Sequence, residues 1–272
     1  MKPREKKRQK SLERKRKIRS NNKNIVENFN YNFLITSEYD GYSLGGYAKQ
    51  KHKNTVQDKL EDALETILGR KVKTIESSRT DAKVHARDQK VMFKFYKNLD
   101  LDKIKESLNN MTDSCVNIIS IEKVSDDFHC RYDVLNKTYY YYIMKNYSVF
   151  NRNYKYYHLK PLNIKLMKTA SKYLVGTHDF TSFCSTKSTQ ESKIRTINSI
   201  EIEETSQDII IKINGDGFLY NMVRIIVGTL LEFSDKQLLA QDIEKILYSQ
   251  DRKKAGATAP AHGLYLHNIK YE

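Results

Sequence analysis

The sequence predicts an α+β fold built as two pseudo-duplicated α/β halves, and three observations lead there. Segments that read as strands alternate with segments whose apolar residues recur at helical spacing. A similar order of elements returns after the middle of the chain. No low-complexity linker separates the halves, so they are expected to pack tightly and share a sheet. The division read from the sequence is a basic extension over 1–24, one half over 25–130 and a second over 131–272.

Tyr31–Glu38 is the first expected strand. Thr55–Leu68 is the clearest helix, because Val56, Leu60, Ala63, Leu64, Ile67 and Leu68 fall on one face and Gly69 stops it. Val72–Glu76 and Val91–Tyr96 read as strands around a polar loop, followed by a helix over Asp102–Asn110 and a strand over Val116–Val124. The second half repeats the pattern: strand Thr138–Met144, then helix Ile164–Val175 with Asn163 as cap and Gly176 as stop. Thr196–Glu203 and Asp208–Ile213 form an expected hairpin. Phe218–Phe233 and Gln237–Leu247 are expected helices, and Leu264–Tyr271 closes the chain as a strand.

The chain has 272 residues and a net charge of +15. Residues 1–19 hold 11 Lys/Arg against two Glu, which accounts for +9 of it. So dense a run of like charge with so little apolar surface does not offset its ordering entropy, and it is expected to be disordered when free. It reads as an RNA-binding arm, a nuclear-import signal or a solubilising tail. The remainder is still basic, as a phosphate-binding surface would be; a solvated, lysine-rich surface is the plainer alternative. No apolar run is long enough to span a membrane, and the N-terminus lacks the apolar stretch of a secretory signal. Cys115, Cys130 and Cys184 lie far apart without a CxxC pair, which argues for a reducing compartment and against a disulfide framework or zinc site. A cytoplasmic location follows, with nuclear or organellar ones left open by the basic extension.

Phosphate-loop and metal signatures are absent from the sequence. Gly41, Gly45 and Gly46 are spaced as a turn. The informative stretch is Ser78-Arg79-Thr80-Asp81-Ala82-Lys83-Val84-His85-Ala86, expected in a loop between two strands. Arg79, Lys83, His85 and Arg87 around one carboxylate favour its charged form, so Asp81 reads as a nucleophile. Equally, Asp81 reads as a turn residue bonding its own backbone. Arg224 interrupts an otherwise apolar helix, and a buried charge there requires a partner.

Ser78–Phe93, with Asp81, Gln89 and Phe93 at matching spacings, resembles the active-site signature of the TruA family of tRNA pseudouridine synthases. Five further blocks resemble the same family. They are Tyr39-Asp40-Gly41 with Thr55-Val56-Gln57; Phe128-His129-Cys130-Arg131 with Lys137-Thr138-Tyr139; Gly176-Thr177-His178-Asp179-Phe180 with Phe183; Gly217-Phe218-Leu219 with Met222-Val223-Arg224 and Gly228; and Ala255–Leu266. Together they cover nearly everything after residue 38.

The resemblance implies an isomerase that detaches uracil at N1, turns it and rejoins it through C5. Asp81 would be the catalytic carboxylate, acting on C1′ or triggering glycal formation. Tyr139 would pack on the target base, and Arg224 would pair with Asp81. Arg79, Lys83, His85, Arg87, Arg131, Lys137 and Phe218 would meet substrate RNA. The expected fold is one extended, mostly antiparallel sheet with helices on one face and the active cleft between the halves. The expected substrate is the anticodon arm of tRNA at positions thirty-eight to forty, bound by a homodimer, with no metal, organic cofactor or membrane involved. His85, His129 and His178 read as structural hydrogen-bonders, and the run Tyr139–Tyr142 also reads simply as a half-buried strand.

Two signature glycines are replaced, by Ser78 and Lys83, and the family tryptophan near the first turn appears as Tyr47. If the glycine at position 83 uses a positive φ, lysine there costs about 1–2 kcal/mol. The departures leave a second reading open: a diverged, weakly active or inactive RNA-binding paralogue, or a synthase acting on another RNA.

Overall fold

A computed structural model describes residues 31–51 and 54–271; the basic extension over 1–24 lies outside the described residues. Ten strands form one sheet: β1 (Tyr31–Tyr39), β2 (Thr74–Glu76), β3 (His85–Phe95), β4 (Val116–Val124), β5 (Val134–Met144), β6 (Tyr156–Tyr157), β7 (Gly176–Asp179), β8 (Ile194–Glu204), β9 (Asp208–Gly215) and β10 (Leu264–Tyr271). Among the described residues, five α-helices accompany these ten strands: α1 (Val56–Leu68), α2 (Leu101–Met111), α3 (Ile164–Lys172), α4 (Met222–Lys236) and α5 (Asp242–Tyr248).

The strand order is β4-β1-β3-β10-β5-β9-β8-β7, with β2 added on β3 and β6 on β5. Within it one topology occurs twice. β1 opens the first half and pairs antiparallel with β3 on one side and β4 on the other. β5 opens the second and pairs antiparallel with β9 and β10 in the same way. The repeats meet where β10 runs parallel to β3, through Tyr265 opposite His85 and Leu266 opposite Ala86. The expected α+β architecture with a mostly antiparallel sheet is therefore the observed one.

Helix burial explains why the layers form. Val56, Leu60, Ala63 and Leu64 of α1, Ile104 and Leu108 of α2, Met167 and Ala170 of α3, and Ile243 and Leu247 of α5 all join one core. They meet Phe33, Ile35, Tyr141, Ile143, Ile211 and Ile213 of the sheet, as period-two alternation requires. Phe33 and Phe93 stack at 5.2 Å across β1 and β3. Thr55 caps α1 by accepting from the Asp58 amide, and Gly69, in the left-handed region, ends it. On the other face a smaller cluster of Leu34, Met92 and Cys130 is covered by Phe128 and Tyr271.

Several boundaries differ from the sequence reading. The fourth helix starts at Met222 rather than Phe218, because Asn221 takes a left-handed conformation (φ 61°) that no helix continues through. Gln237, also left-handed, ends that helix, so the next one starts only at Asp242. The third helix stops at Lys172, short of Val175. β3 begins at His85 instead of Val91, extending the strand through a polar run: Asp88 accepts from the Ile269 amide, and the buried Gln89 is doubly bonded. β6 and β7 are too short to show a periodic signal. The three cysteines are free thiols.

Candidate active site

The loop between β2 and β3, residues 77–84, carries Asp81 and is held from several directions. Ser77 donates from its amide to the Lys90 carbonyl at 2.8 Å, continuing the ladder one residue past β2. Gln89 of β3 accepts from the Ser77 hydroxyl (2.9 Å) and donates to the Ser78 carbonyl (2.7 Å). From β5, Lys137 donates to the Ser77 carbonyl at 2.6 Å. The Tyr39 and Thr80 hydroxyls bond at 2.7 Å, and Tyr47, wholly buried, donates its amide to the Thr80 carbonyl. Backbone and side chains of the first half, with the Lys137 side chain of the second, thus fix the loop.

Asp81 and Lys83 close a turn, with the Val84 amide bonded to the Asp81 carbonyl at 3.1 Å. Lys83 adopts the positive φ (68°) that the sequence comparison anticipated for a glycine position. The turn is therefore kept with a lysine in it, and the side chain lies 5.1 Å over the Tyr42 ring. Replacing Lys83 by glycine is expected to raise stability by about 1 kcal/mol by releasing left-handed strain. An unchanged or lower midpoint in urea unfolding would show that the lysine is unstrained.

Arg224, near the start of α4, reaches the loop from 143 residues away: its Nη1 donates to Asp81 Oδ2 at 3.0 Å. The same nitrogen bonds Asn221 Oδ1 (3.0 Å), and Nε donates to the Ala259 carbonyl (2.8 Å). This is the partner that a charge in an apolar helix required. The electrostatic balance at Asp81 differs from the sequence expectation. Burial raises its pKa above the ordinary 3.8, and Arg224 opposes that rise without cancelling it. The neighbours along the chain are directed elsewhere: Arg79 donates to Glu76 (2.8 Å), Arg87 pairs with Glu38 (3.2 Å), and His85 is buried beside Gly41 and Asp40.

Tyr139 faces the loop from β5. Its hydroxyl is 2.9 Å from Ser78 Oγ, and Phe218 packs edge-on against its ring at 5.2 Å and 87°. Burial pushes its phenol up to about 12, so it is a neutral hydroxyl at physiological pH. Tyr139 and Tyr141 point into the core side, whereas Tyr140 and Tyr142 lie on the opposite face; the tyrosine run is a strand with two different faces.

These groups line a cleft of about 1100 Å³ that both halves build. Asp81, Tyr139, Arg224, Arg79, Lys83, Arg131, Lys137 and Phe218 all border it. Arg131 and Lys137 are turned toward the loop they brace, Arg131 bonding Glu76 at 2.5 Å and Lys137 bonding the Ser77 carbonyl. His85 and Arg87 are not brought to this cleft. They border a smaller hollow of about 230 Å³ with Asp40, Tyr154 and Tyr265, where His85 stacks on Tyr265 at 4.5 Å. His129 and His178 bond local backbone. Sequence reasoning passed over Lys187, Gln190, Asn221 and His262, which also border the main cleft. His262 lies inside the Ala255–Leu266 block and Asn221 next to Met222-Val223-Arg224; the 187–190 segment carries no signal of its own. Among the described residues, no cluster of three or more His, Cys, Asp or Glu is arranged to hold a metal, and no helix is long and apolar enough to cross a membrane.

The sequence profile described as tRNA pseudouridine synthase matches residues 35–133 and 170–272. Among curated relatives, a tRNA pseudouridine synthase A of Clostridium acetobutylicum is 43% identical over 242 residues, covering 88% of this chain and 99% of its own. The protein of the same name from Brevibacillus brevis is 41% identical, covering 86% and 96%. That from Bacillus subtilis is 39% identical, covering 87% and 98%.

Proposed function

Because this chain belongs to the tRNA pseudouridine synthase family, we propose that it converts uridine to pseudouridine in the anticodon arm of tRNA, at positions thirty-eight to forty, with Asp81 as the nucleophile and without a cofactor. The observation that carries the reading is the Asp81–Arg224 ion pair, set opposite Tyr139 in a cleft built by both halves. A generic RNA-binding surface has no use for a partly buried carboxylate oriented by an arginine.

The chemistry follows from these positions. Arg224 fixes the direction of the carboxylate, and burial makes it more basic than a free aspartate. Such a group either attacks C1′ or removes a proton to start glycal formation. A uridine reaches it only when flipped from the RNA stack. Tyr139 then offers an aromatic face and a neutral hydroxyl to the uracil while it is detached and turned. Arg79, largely exposed at the cleft border, and Lys83 supply positive charge toward RNA phosphates. We further propose a cytoplasmic homodimer, with RNA lying across both subunits.

The test is tritium release from tRNA labelled at C5 of uridine, in a chelator and with no added cofactor. Release confined to the 3′ side of the anticodon arm is expected; release from other sites, or only after a metal is restored, sinks this reading. The rate should also report Asp81. It acts ionised, so activity is full above its pKa and falls as pH drops through it, with the acid limb above 3.8. Arg224 lowers that pKa, so Arg224→Gln should move the limb to higher pH; an unmoved limb would remove Arg224 from this role.

A further inference from the structure

Ser78 stands where the resembled signature has glycine, and its side chain is directed at Tyr139. The two oxygens lie 2.9 Å apart, and both residues are buried, at 9% and 6% exposure. Ser78 also borders the cleft, one side of a contact that a glycine has no atoms to make.

The contact is held rigidly on both sides. The Ser78 carbonyl accepts from Gln89 Nε2 at 2.7 Å, and the Gln89 amide oxygen is occupied by the Ser77 hydroxyl. Lys137, two residues before Tyr139 on the same strand, grips the Ser77 carbonyl. The loop and the tyrosine strand are thus tied together at Ser77 and Lys137, one residue before Ser78 on the loop and two before Tyr139 on the strand. On its other flank the Tyr139 ring is backed by Phe218. The phenol oxygen is held against Ser78 Oγ in a contact where either hydroxyl can donate.

We propose that Ser78 is a positioning residue of this synthase, orienting the Tyr139 hydroxyl toward the detached uracil. The proposal rests on the role given to Tyr139 above. A hydroxyl donates one proton and accepts through two lone pairs. When Ser78 donates to Tyr139, the phenol proton is free to reach a uracil carbonyl. When Tyr139 donates to Ser78, the phenol oxygen keeps a lone pair for an N–H of the base. A base that is turned presents its carbonyl and N–H edges in succession, and the serine lets one phenol answer both without leaving a buried polar atom unpaired.

The experiment is steady-state tritium release by the intact protein, Ser78→Ala, Ser78→Thr, Tyr139→Phe and the Ser78→Ala/Tyr139→Phe double variant. Loss of one neutral hydrogen bond from the transition state should lower kcat of Ser78→Ala about threefold to tenfold. KM should stay within about twofold, because ground-state tRNA binding is untouched. Ser78→Thr keeps a hydroxyl and should retain most of the rate. On Tyr139→Phe, which lacks the phenol oxygen, adding Ser78→Ala should cost nothing more.

Equal fold losses in both backgrounds would overturn the proposal, as would a Ser78→Ala enzyme with the original kcat. Should alanine prevent folding, Ser78→Gly must show the same pattern. A Tyr139→Phe enzyme as fast as the intact one would remove Tyr139 from the reaction and Ser78 with it. No release from the intact protein would sink the synthase reading itself, which separates the two failures.

Discussion

Asp81→Ala should abolish tritium release, by about a thousandfold or more, while tRNA is still bound. The carboxylate is the group that Arg224 aims into the cleft, and among the described residues the other acid bordering the cleft is Glu76, which is committed to Arg79 and Arg131. The loss should not come from unfolding. The pKa of Asp81 is raised in the folded protein, so its contribution to stability is present below the unfolded pKa and lost as pH rises through the folded one. At neutral pH the desolvation cost of the ionised carboxylate offsets part of what is lost when Arg224 loses its ion-pair partner, so Asp81→Asn and Asp81→Ala should both melt close to the parent. Arg224 retains Asn221 and the Ala259 carbonyl in either variant. A variant that still releases tritium would dismiss Asp81 as the nucleophile. One that melts well below the parent would instead make the ion pair a structural tie.

Gly228→Ala should be strongly damaging although it adds a single methyl group. Gly228 lies inside α4, where alanine normally gains about 1 kcal/mol over glycine. Here the added Cβ would sit 1.7 Å from the Ala257 carbonyl oxygen and 3.2 Å from the Ala259 amide nitrogen. Those atoms belong to the backbone strap over 255–260, which is pinned to the helix. The Gly256 amide donates to Thr229 Oγ1, and the Ala259 amide donates to the Arg224 carbonyl. The strap must move off the helix, at a net cost of about 3 kcal/mol and a midpoint lower by roughly 10 °C. Activity should fall as well, because the Ala259 carbonyl is the acceptor that anchors Arg224 Nε. A melting temperature unchanged or raised would mean that the strap yields freely and that helix propensity dominates.

The sequence carried much of this arrangement, unevenly. β4 and β10 match their expected bounds. α1 was legible through its apolar stripe, its Thr55 cap and Gly69. The start of α4 was not, since Phe218, Leu219 and Tyr220 are as apolar as the helix they precede; the left-handed Asn221 decides the boundary. β3 was read six residues short because His85–Lys90 is polar, and only neighbouring strands and side chains supply its partners. Proximity along the chain misled at Asp81. Four basic neighbours suggested its electrostatics, yet a strand projects successive residues to opposite faces, which turns His85 and Arg87 to another hollow.

What the sequence determined by itself was the α+β class, the repeated order of elements and the family, and it singled out Asp81, Tyr139 and Arg224 as candidates. Each is written in local periodicity or in spaced motifs that survive without coordinates. Tertiary structure alone decided that Arg224 outcompetes the nearer cations for Asp81, that burial nevertheless raises its pKa, and that Ser78 meets the Tyr139 hydroxyl. Those outcomes depend on distances between residues 61 and 143 positions apart. Coulomb and hydrogen-bond energies depend on separation in space and on local desolvation, neither of which separation along the chain encodes.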